Sequence, residues 1–334
     1  MRRLKKLCSV LIASALTFSL AACGGDKVKW DMDYHPETDL KQNMEYPLDS
    51  LMSETDKGYY FINGLYLYYM NKDTLETTVL CNRPNCLHDR EKDPEKKGEC
   101  DGCVMGKGIF SHDDNIYVSM FYGTVRRIDK YSDSGEFIGT VNELPPNASY
   151  ICHHRGYIFY VYSDLEEYIT EGMDTGRMPS GQYYIMKVPV DGGEAEVVYE
   201  CPLDGNQWVN VTIDNIYGNM IYAKEDGTLL SEGSEGERVY RDIIIDLTDN
   251  SYEYFDGSGY STGIKTPYDD GIVYSRWYSD NDKRNNVKYK TDYNLQGNTE
   301  LFTSEYDNAY SFWDGESAVR LPLPSRIWTP SNVC

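Results

Sequence analysis

The chain has 334 residues, with 54 Asp and Glu against 32 Lys and Arg, and a formal net charge of −22 at pH 7. So acidic a composition argues against nucleic acid as a partner, because phosphates are held by Lys and Arg, and against docking of the body on anionic lipid headgroups. The charge is spread along the chain rather than gathered in a tail, which reads as solubility and self-repulsion, and the length suffices for a large core.

The first element is the N-terminal segment. Met1-Arg2-Arg3-Leu4-Lys5-Lys6 is basic, Leu7 to Ala22 is apolar with small polar interruptions, and the run ends Leu20-Ala21-Ala22-Cys23-Gly24-Gly25. A basic head, a short apolar middle and small residues before the cut describe a secretory signal. The Leu-Ala-Ala-Cys ending resembles the lipobox of bacterial lipoproteins. That resemblance implies cleavage before Cys23, lipid on its thiol and an exported protein held at the outer face of the cytoplasmic membrane. Loss of residues 1–22 removes four positive charges and no negative ones, taking −22 to −26. No later stretch approaches the roughly 20 apolar residues of a membrane span. Residues 23–50, polar and carrying His35-Pro36, read as a flexible tether.

From residue 51 onward the signals are those of strands, and helical periodicity is weak. Clusters of aromatic and β-branched residues recur beside turn residues: Gly58-Tyr-Tyr-Phe-Ile-Asn-Gly64, Asp113-Asp-Asn-Ile-Tyr117, Arg155-Gly-Tyr-Ile-Phe159, Tyr217-Gly-Asn-Met-Ile221 and Asp269-Asp-Gly-Ile-Val273. Asn308-Ala-Tyr-Ser-Phe-Trp313 starts a sixth. A second strand–turn–strand phrase follows in most units, at Tyr69–Val79, Ile128–Ile138, Tyr184–Val198 and Lys290–Leu301. Each pair of phrases reads as two hairpins. Two hairpins in each 40 to 65 residues is the arithmetic of a four-stranded propeller blade. The expectation is an all-β fold: a β-propeller over 51–315 with five clear blades and a truncated sixth. A β-sandwich is the competing reading, and it does not account for the period.

The Tyr184-Ile-Met-Lys-Val188 strand followed by Asp191-Gly192-Gly193-Glu194 resembles blades of TolB-like and YWTD-like propellers. With the lipobox, the acidic tether, the Tyr-Tyr-Phe opening and a Cys-x4-Cys-x-His segment, the chain is similar to lipoproteins of anaerobic Gram-positive gut bacteria. Those carry a low-density-lipoprotein-receptor-related-like propeller domain. The resemblance implies that fold and an anchored location, and brings no activity with it.

The segment 316–334 breaks the pattern. Three prolines, Pro322, Pro324 and Pro330, fall in it, and proline does not belong in inner strands. An irregular tail is expected, left by a shortened or frame-shifted longer propeller or completing a five-blade ring.

Four cysteines and a histidine fall in one connection: Cys81, Cys86 and His88, then Cys100 and Cys103. The charged stretch between them cannot pack a core, so a covalent or metallic staple between the first two blades is expected. Two chemistries compete. Cys81, Cys86, His88 and Cys100 offer soft ligands for a tetrahedral structural zinc ion. Six cysteines in the exported body (those four sites' three, with Cys103, Cys152 and Cys201) are an even number suited to disulfides. Few exported disulfides form in Gram-positive anaerobes, which favours metal or free thiols.

Motifs of nucleophilic hydrolases, nucleotide-binding loops and metalloproteases are absent from the sequence. His153 and His154 are adjacent on a strand and point to opposite faces, so they do not share one ligand. Asp113-Asp114, Asp269-Asp270 and Ser279–Asp282 read as hairpin tips. The 31 tyrosines suit strand filling first and ligand stacking second. The expectation is therefore a membrane-tethered, non-enzymatic binding module whose propeller face meets a protein or glycan. The alternatives are an extracytoplasmic carbohydrate-active enzyme with a carboxylate pair near the axis and a structural envelope protein.

Overall fold

A computed structural model describes residues 28–33, 35, 51–86, 88, 100–104, 106–122, 124–164, 182–202, 207–229, 237–255, 266–268, 271–280, 283–304, 310–313 and 318–321. The chain divides into two compact units, residues 1–31 and 32–334. The described residues 28–31 of the first carry no helix or strand. The segment expected to be a signal peptide, Cys23, most of residues 23–50 and residues 165–181 lie outside the described residues.

The second unit is built from antiparallel meanders. The first sheet contains β1 (Met52–Glu54), β2 (Gly58–Asn63), β3 (Tyr66–Asn71) and β4 (Thr77–Val79). The second contains β5 (Gly106–His112), β6 (Asn115–Tyr122), β7 (Val125–Ser132) and β8 (Phe137–Leu144), and the third β9 (Ser149–His154), β10 (Tyr157–Ser163), β11 (Tyr183–Pro189) and β12 (Glu196–Glu200). The fourth has β13 (Gln207–Tyr217), β14 (Met220–Leu229), β15 (Glu237–Asp246) and β16 (Ser251–Phe255). The fifth has β17 (Thr266–Tyr268), β18 (Gly271–Asp280), β19 (Lys283–Thr291) and β20 (Thr299–Ser304). In every sheet the strands lie side by side in chain order. A last hairpin pairs β21 (Tyr310–Trp313) with β22 (Ala318–Leu321).

These are propeller blades, and the seams between them say why. A lone four-stranded meander leaves both faces wet; stacking buries them. Tyr60, Ile62 and Leu67 of the first sheet share a core with Ile109, Ile116, Val118 and Tyr131 of the second. Phe110, Tyr117 and Ile128 of the second pack with Ile158, Tyr160 and Val188 of the third. Tyr222 and Ile244 of the fourth pack with Ile272 and Leu295 at the fifth. A hydrogen bond repeats across the seams in one direction. In the first, second and fourth blades the third residue of the second strand is a tyrosine whose hydroxyl reaches the turn between the third and fourth strands of the next blade. Tyr60 donates to the Asp133 carbonyl at 3.2 Å, Tyr117 to Asp191 Oδ1 at 2.8 Å and Tyr222 to the Tyr293 carbonyl at 2.8 Å. The turns themselves are tied locally, as Asx and Ser turns are. Asn71 Oδ1 accepts from the Asp73 and Thr74 amides, Ser132 Oγ from the Glu136 amide and Asp292 Oδ1 from the Asn294 and Gln296 amides.

The sequence put the repeating turns on the chain with one shift of register. Asp113-Asp114 (φ +45° and +57°) and Arg155-Gly156 (+47° and +75°) join the first and second strands of their blades. Asn63-Gly64 instead joins the second and third strands of the first blade. There the first turn is Thr55-Asp56-Lys57, closed by the Thr55 amide on the Gly58 carbonyl at 2.9 Å. It lacks the glycine–asparagine signature that marks the others. The last hairpin also runs past the boundary at 315: Ala318–Leu321 pairs with Tyr310–Trp313 inside the segment expected to be irregular. Its alternating Ala-Val-Arg-Leu ends before the first proline of that segment, Pro322.

Candidate metal centre at the first seam

The cysteine-rich connection leaves the first blade after β4 and enters the second at β5. Both of its ends are pinned to the same edge of β3. The Leu80 amide donates to the Leu67 carbonyl at 2.8 Å on the way out. On the way back the Leu67 amide donates to the Gly102 carbonyl at 2.8 Å and the Val104 amide to the Leu65 carbonyl at 2.7 Å. Cys103 forms an antiparallel bridge with Tyr66. Cys81 and Cys100, far apart in sequence, are brought together because each follows or precedes a residue bonded to this short edge.

Local turns supply the rest. The Cys86 amide donates to the Arg83 carbonyl at 3.3 Å, with Asn85 at φ +61° between them. Arg83 Nε donates to Asp101 Oδ1 at 2.9 Å, tying the outgoing turn to the returning one. The Tyr66 hydroxyl donates to the His88 carbonyl at 2.8 Å and fixes that residue over the cluster. Gly102 has no room for a side chain: a Cβ there would sit 2.7 Å from the Leu80 carbonyl oxygen. On the far side the β7–β8 turn closes in, where a Cβ on Gly135 would meet the Leu80 backbone at 2.9 Å and the Cys81 amide nitrogen at 3.0 Å. The connection is thus wedged between the first two blades.

The result is a four-ligand group. Cys81, Cys86, His88 and Cys100 each offer one atom, all within 4.8 Å of one another. Cys100 Sγ lies 3.6 Å from His88 Nδ1. A tetrahedral ion with sulfur at about 2.3 Å and nitrogen at about 2.0 Å sets such a separation at about 3.5 Å. Cys100 is buried, whereas Cys81 and Cys86 are half-buried, and none of the three is in a disulfide. Burial opposes ionisation of Cys81, but the backbone amides of Arg83, Gly102 and Asp101 and the Cys86 thiol outweigh it, and its pKa is lowered. Cys100 is pushed up to about 12 by burial, then by its neighbours Cys86 and Cys81. One thiolate is therefore prepared and the next is resisted, a conflict that a bound cation removes.

Cys103, the fifth residue of the expected cluster, is not among the four ligands. It is buried beside Tyr66 and Cys100 in a small apolar group, where its amide closes a turn on the Cys100 carbonyl at 3.1 Å. Cys152 and Cys201 are buried in and beyond the third blade, and neither is in a disulfide. Burial raises the pKa of Cys152. Cys201 Sγ donates to Glu225 Oε1 at 3.1 Å.

The two adjacent histidines diverge as strand alternation requires. His154 Nε2 lies 2.7 Å from the Gly218 carbonyl oxygen of the fourth blade. His153 turns toward the second blade, stacked on Phe110 with ring centres 4.6 Å apart and 5.0 Å from His112. A buried ionic knot between the third and fourth blades was not legible in the sequence. Glu225 accepts from Tyr199 at 2.5 Å and pairs with Arg241 Nε at 2.9 Å, and Tyr199 meets Tyr254 at 3.1 Å. Its members come from four strands, so no spacing could reveal it.

No protein-family model and no curated protein matches the chain. Among solved structures it is similar to an oligogalacturonate lyase in complex with manganese, at 14% identity and a TM-score of 0.45 over 75% of this chain and 62% of that one. It is also similar to a nidogen/laminin complex (12%, 0.41, covering 76% and 79%) and to a protein from Lactobacillus plantarum (9%, 0.34, 75% and 69%). The chain spans about three fifths of the length of the lyase. The propeller assignment rests on the sheets and their seams.

Proposed function

We propose that the chain is an exported lipoprotein whose propeller is an interaction module for a protein or glycan, held through Cys23 at the outer face of the cytoplasmic membrane. A structural zinc ion on Cys81, Cys86, His88 and Cys100 staples its first two blades. The observation that carries this reading is the four-ligand group, whose atoms lie within 4.8 Å of one another at a blade seam. Three thiolates and an imidazole suit zinc, and four protein ligands leave it no open position for a substrate, which is the chemistry of a scaffold. Export and lipidation are read from Leu20-Ala21-Ala22-Cys23. Among the described residues no helix is long and apolar enough to cross a membrane. Acyl chains contribute about 0.8 kcal/mol per buried methylene, so two chains hold a protein where one does not.

An enzymatic reading needs two carboxylates free to act. The buried acids with cationic partners serve their own blades: Glu225 with Arg241, Asp214 with Lys224 at 3.1 Å, and Asp129 with Arg127 at 3.2 Å. This supports the binding role over the glycosidase.

Two measurements test the proposal. Metal analysis of the full chain, purified without chelators, is expected to give one zinc per chain, lost in Cys81→Ser and Cys100→Ser but kept in Cys103→Ser. Growth with a labelled fatty acid is expected to label the protein, and Cys23→Ala to abolish the label. Absence of label, or polysaccharide hydrolysis by the purified protein that is lost on substitution of a carboxylate, overturns the assignment as an anchored binding module.

A further inference from the structure

Metal ligation and disulfide formation are two states open to the same sulfurs. Resting on the zinc reading above, we propose that Cys81 and Cys86 form a redox-modification site, at which a peroxide joins the two sulfurs and releases the metal.

Three observations carry this. The Sγ atoms of Cys81 and Cys86 belong to the group whose ligand atoms all lie within 4.8 Å of one another. They flank one tight turn, closed by the Cys86 amide on the Arg83 carbonyl, so joining them needs only local movement. Access also separates them from the third sulfur. Cys81 and Cys86 are half-buried while Cys100 is 3% exposed, so an oxidant arriving from solvent meets the first two before it meets Cys100. Cys103, at 8% exposure, faces the small apolar group around Tyr66 and is equally screened.

The step balances with a hydroperoxide as oxidant. One of the two thiolates attacks a peroxide oxygen; the O–O bond breaks, and the departing hydroxide takes a proton from the buffer acid. The sulfenic acid left on that sulfur is attacked by the second thiolate, the S–S bond forms, and the sulfenic oxygen leaves as hydroxide and is protonated in turn. Two sulfurs lose two electrons and hydrogen peroxide becomes two waters. Only His88 and Cys100 then remain as ligands, and two ligands do not retain a structural zinc ion. The modification unfastens the connection that Leu80 and Gly102 hold against β3, at the seam where Gly135 of the second blade closes on it.

The test uses the zinc-loaded full chain titrated with hydrogen peroxide. Zinc release is followed with a chromogenic chelator, and disulfides are mapped by peptide mass spectrometry without reduction. The expected result is loss of one zinc for each Cys81–Cys86 disulfide, reversed by a thiol reductant with added zinc. Cys103→Ser, outside the ligand set, is expected to release zinc at the same peroxide concentration as the parent. Release that tracks a Cys100–Cys103 disulfide or sulfinic acid, or zinc retained after the thiols are oxidised, overturns this proposal and leaves the zinc site standing. A chain that carries no zinc as purified and takes none up on reconstitution overturns both.

Discussion

His153 shows what one buried side chain costs and controls. It is 1% exposed, and neither ring nitrogen has a hydrogen-bond partner among the described residues. Burial, followed by the nearby His112 and His154, lowers its pKa well below the ordinary 6.5. Folding therefore requires the neutral ring. Below pH 6.5 the unfolded chain takes up a proton that the folded chain refuses. The stability this residue contributes is thus complete above that pH and is lost as pH falls below it, by up to about 1.4 kcal/mol per pH unit. Replacement by phenylalanine keeps the stack on Phe110 and removes both unpaired nitrogens. Urea unfolding of His153→Phe between pH 5 and 7 is expected to show a shallower fall in stability toward acid than the parent; an unchanged slope would assign the acid sensitivity elsewhere. The alternation of His153 and His154 was readable from adjacency alone. That one meets the second blade and the other the fourth was not, since nothing local encodes which seam a strand will face.

At the scale of elements, the tyrosine that reaches the next blade explains much of the aromatic surplus. Tyr60, Tyr117 and Tyr222 are fully buried by their rings, yet each hydroxyl ends on a polar turn that needs a donor. A tyrosine suits this place because it carries a large apolar body and one polar tip. In the third blade the same position is Phe159, itself fully buried. There the next seam relies instead on Tyr199, which donates to Glu225 at 2.5 Å, and on His154. Each of Tyr60→Phe, Tyr117→Phe and Tyr222→Phe is expected to destabilise the fold by about 0.5–1.5 kcal/mol, measured by denaturant unfolding, with Tyr117→Phe the largest because the bond it removes goes to a carboxylate rather than a carbonyl. Phe159→Tyr, which adds a hydroxyl without an evolved acceptor, is expected to gain nothing. The repeated strand and its turn were legible in sequence, as was the turn between the third and fourth strands. The bond joining them was not, because donor and acceptor are 71 to 74 residues apart and the acceptor is a backbone carbonyl in two cases of three. The group of Cys81, Cys86, His88 and Cys100 was legible for the opposite reason: its chemistry is carried by residue type, and the fold adds that their ligand atoms lie within 4.8 Å of one another.

For the molecule as a whole the governing quantity is charge. With 54 acidic and 32 basic residues, folding brings together many like charges, and their repulsion works against the compact state. The attractive pairs do not offset this through solvent. Lys130–Asp191 and Lys187–Glu196 lie at the surface with acids more than half exposed, where a pair contributes about 0–1 kcal/mol. Glu225–Arg241, with the carboxylate wholly buried, is scarcely reached by salt. Screening therefore acts mainly on the excess of negative charge, whose range falls from about 30 Å at 0.01 M salt to about 10 Å at 0.1 M. The melting temperature at fixed neutral pH is expected to rise between 10 and 150 mM NaCl, followed by circular dichroism on protein saturated with zinc so that metal loss does not enter. A fall over the same range would mean that surface ion pairs across the seams outweigh the net repulsion. The blades would then be held by their charged turns more than by the apolar faces between them.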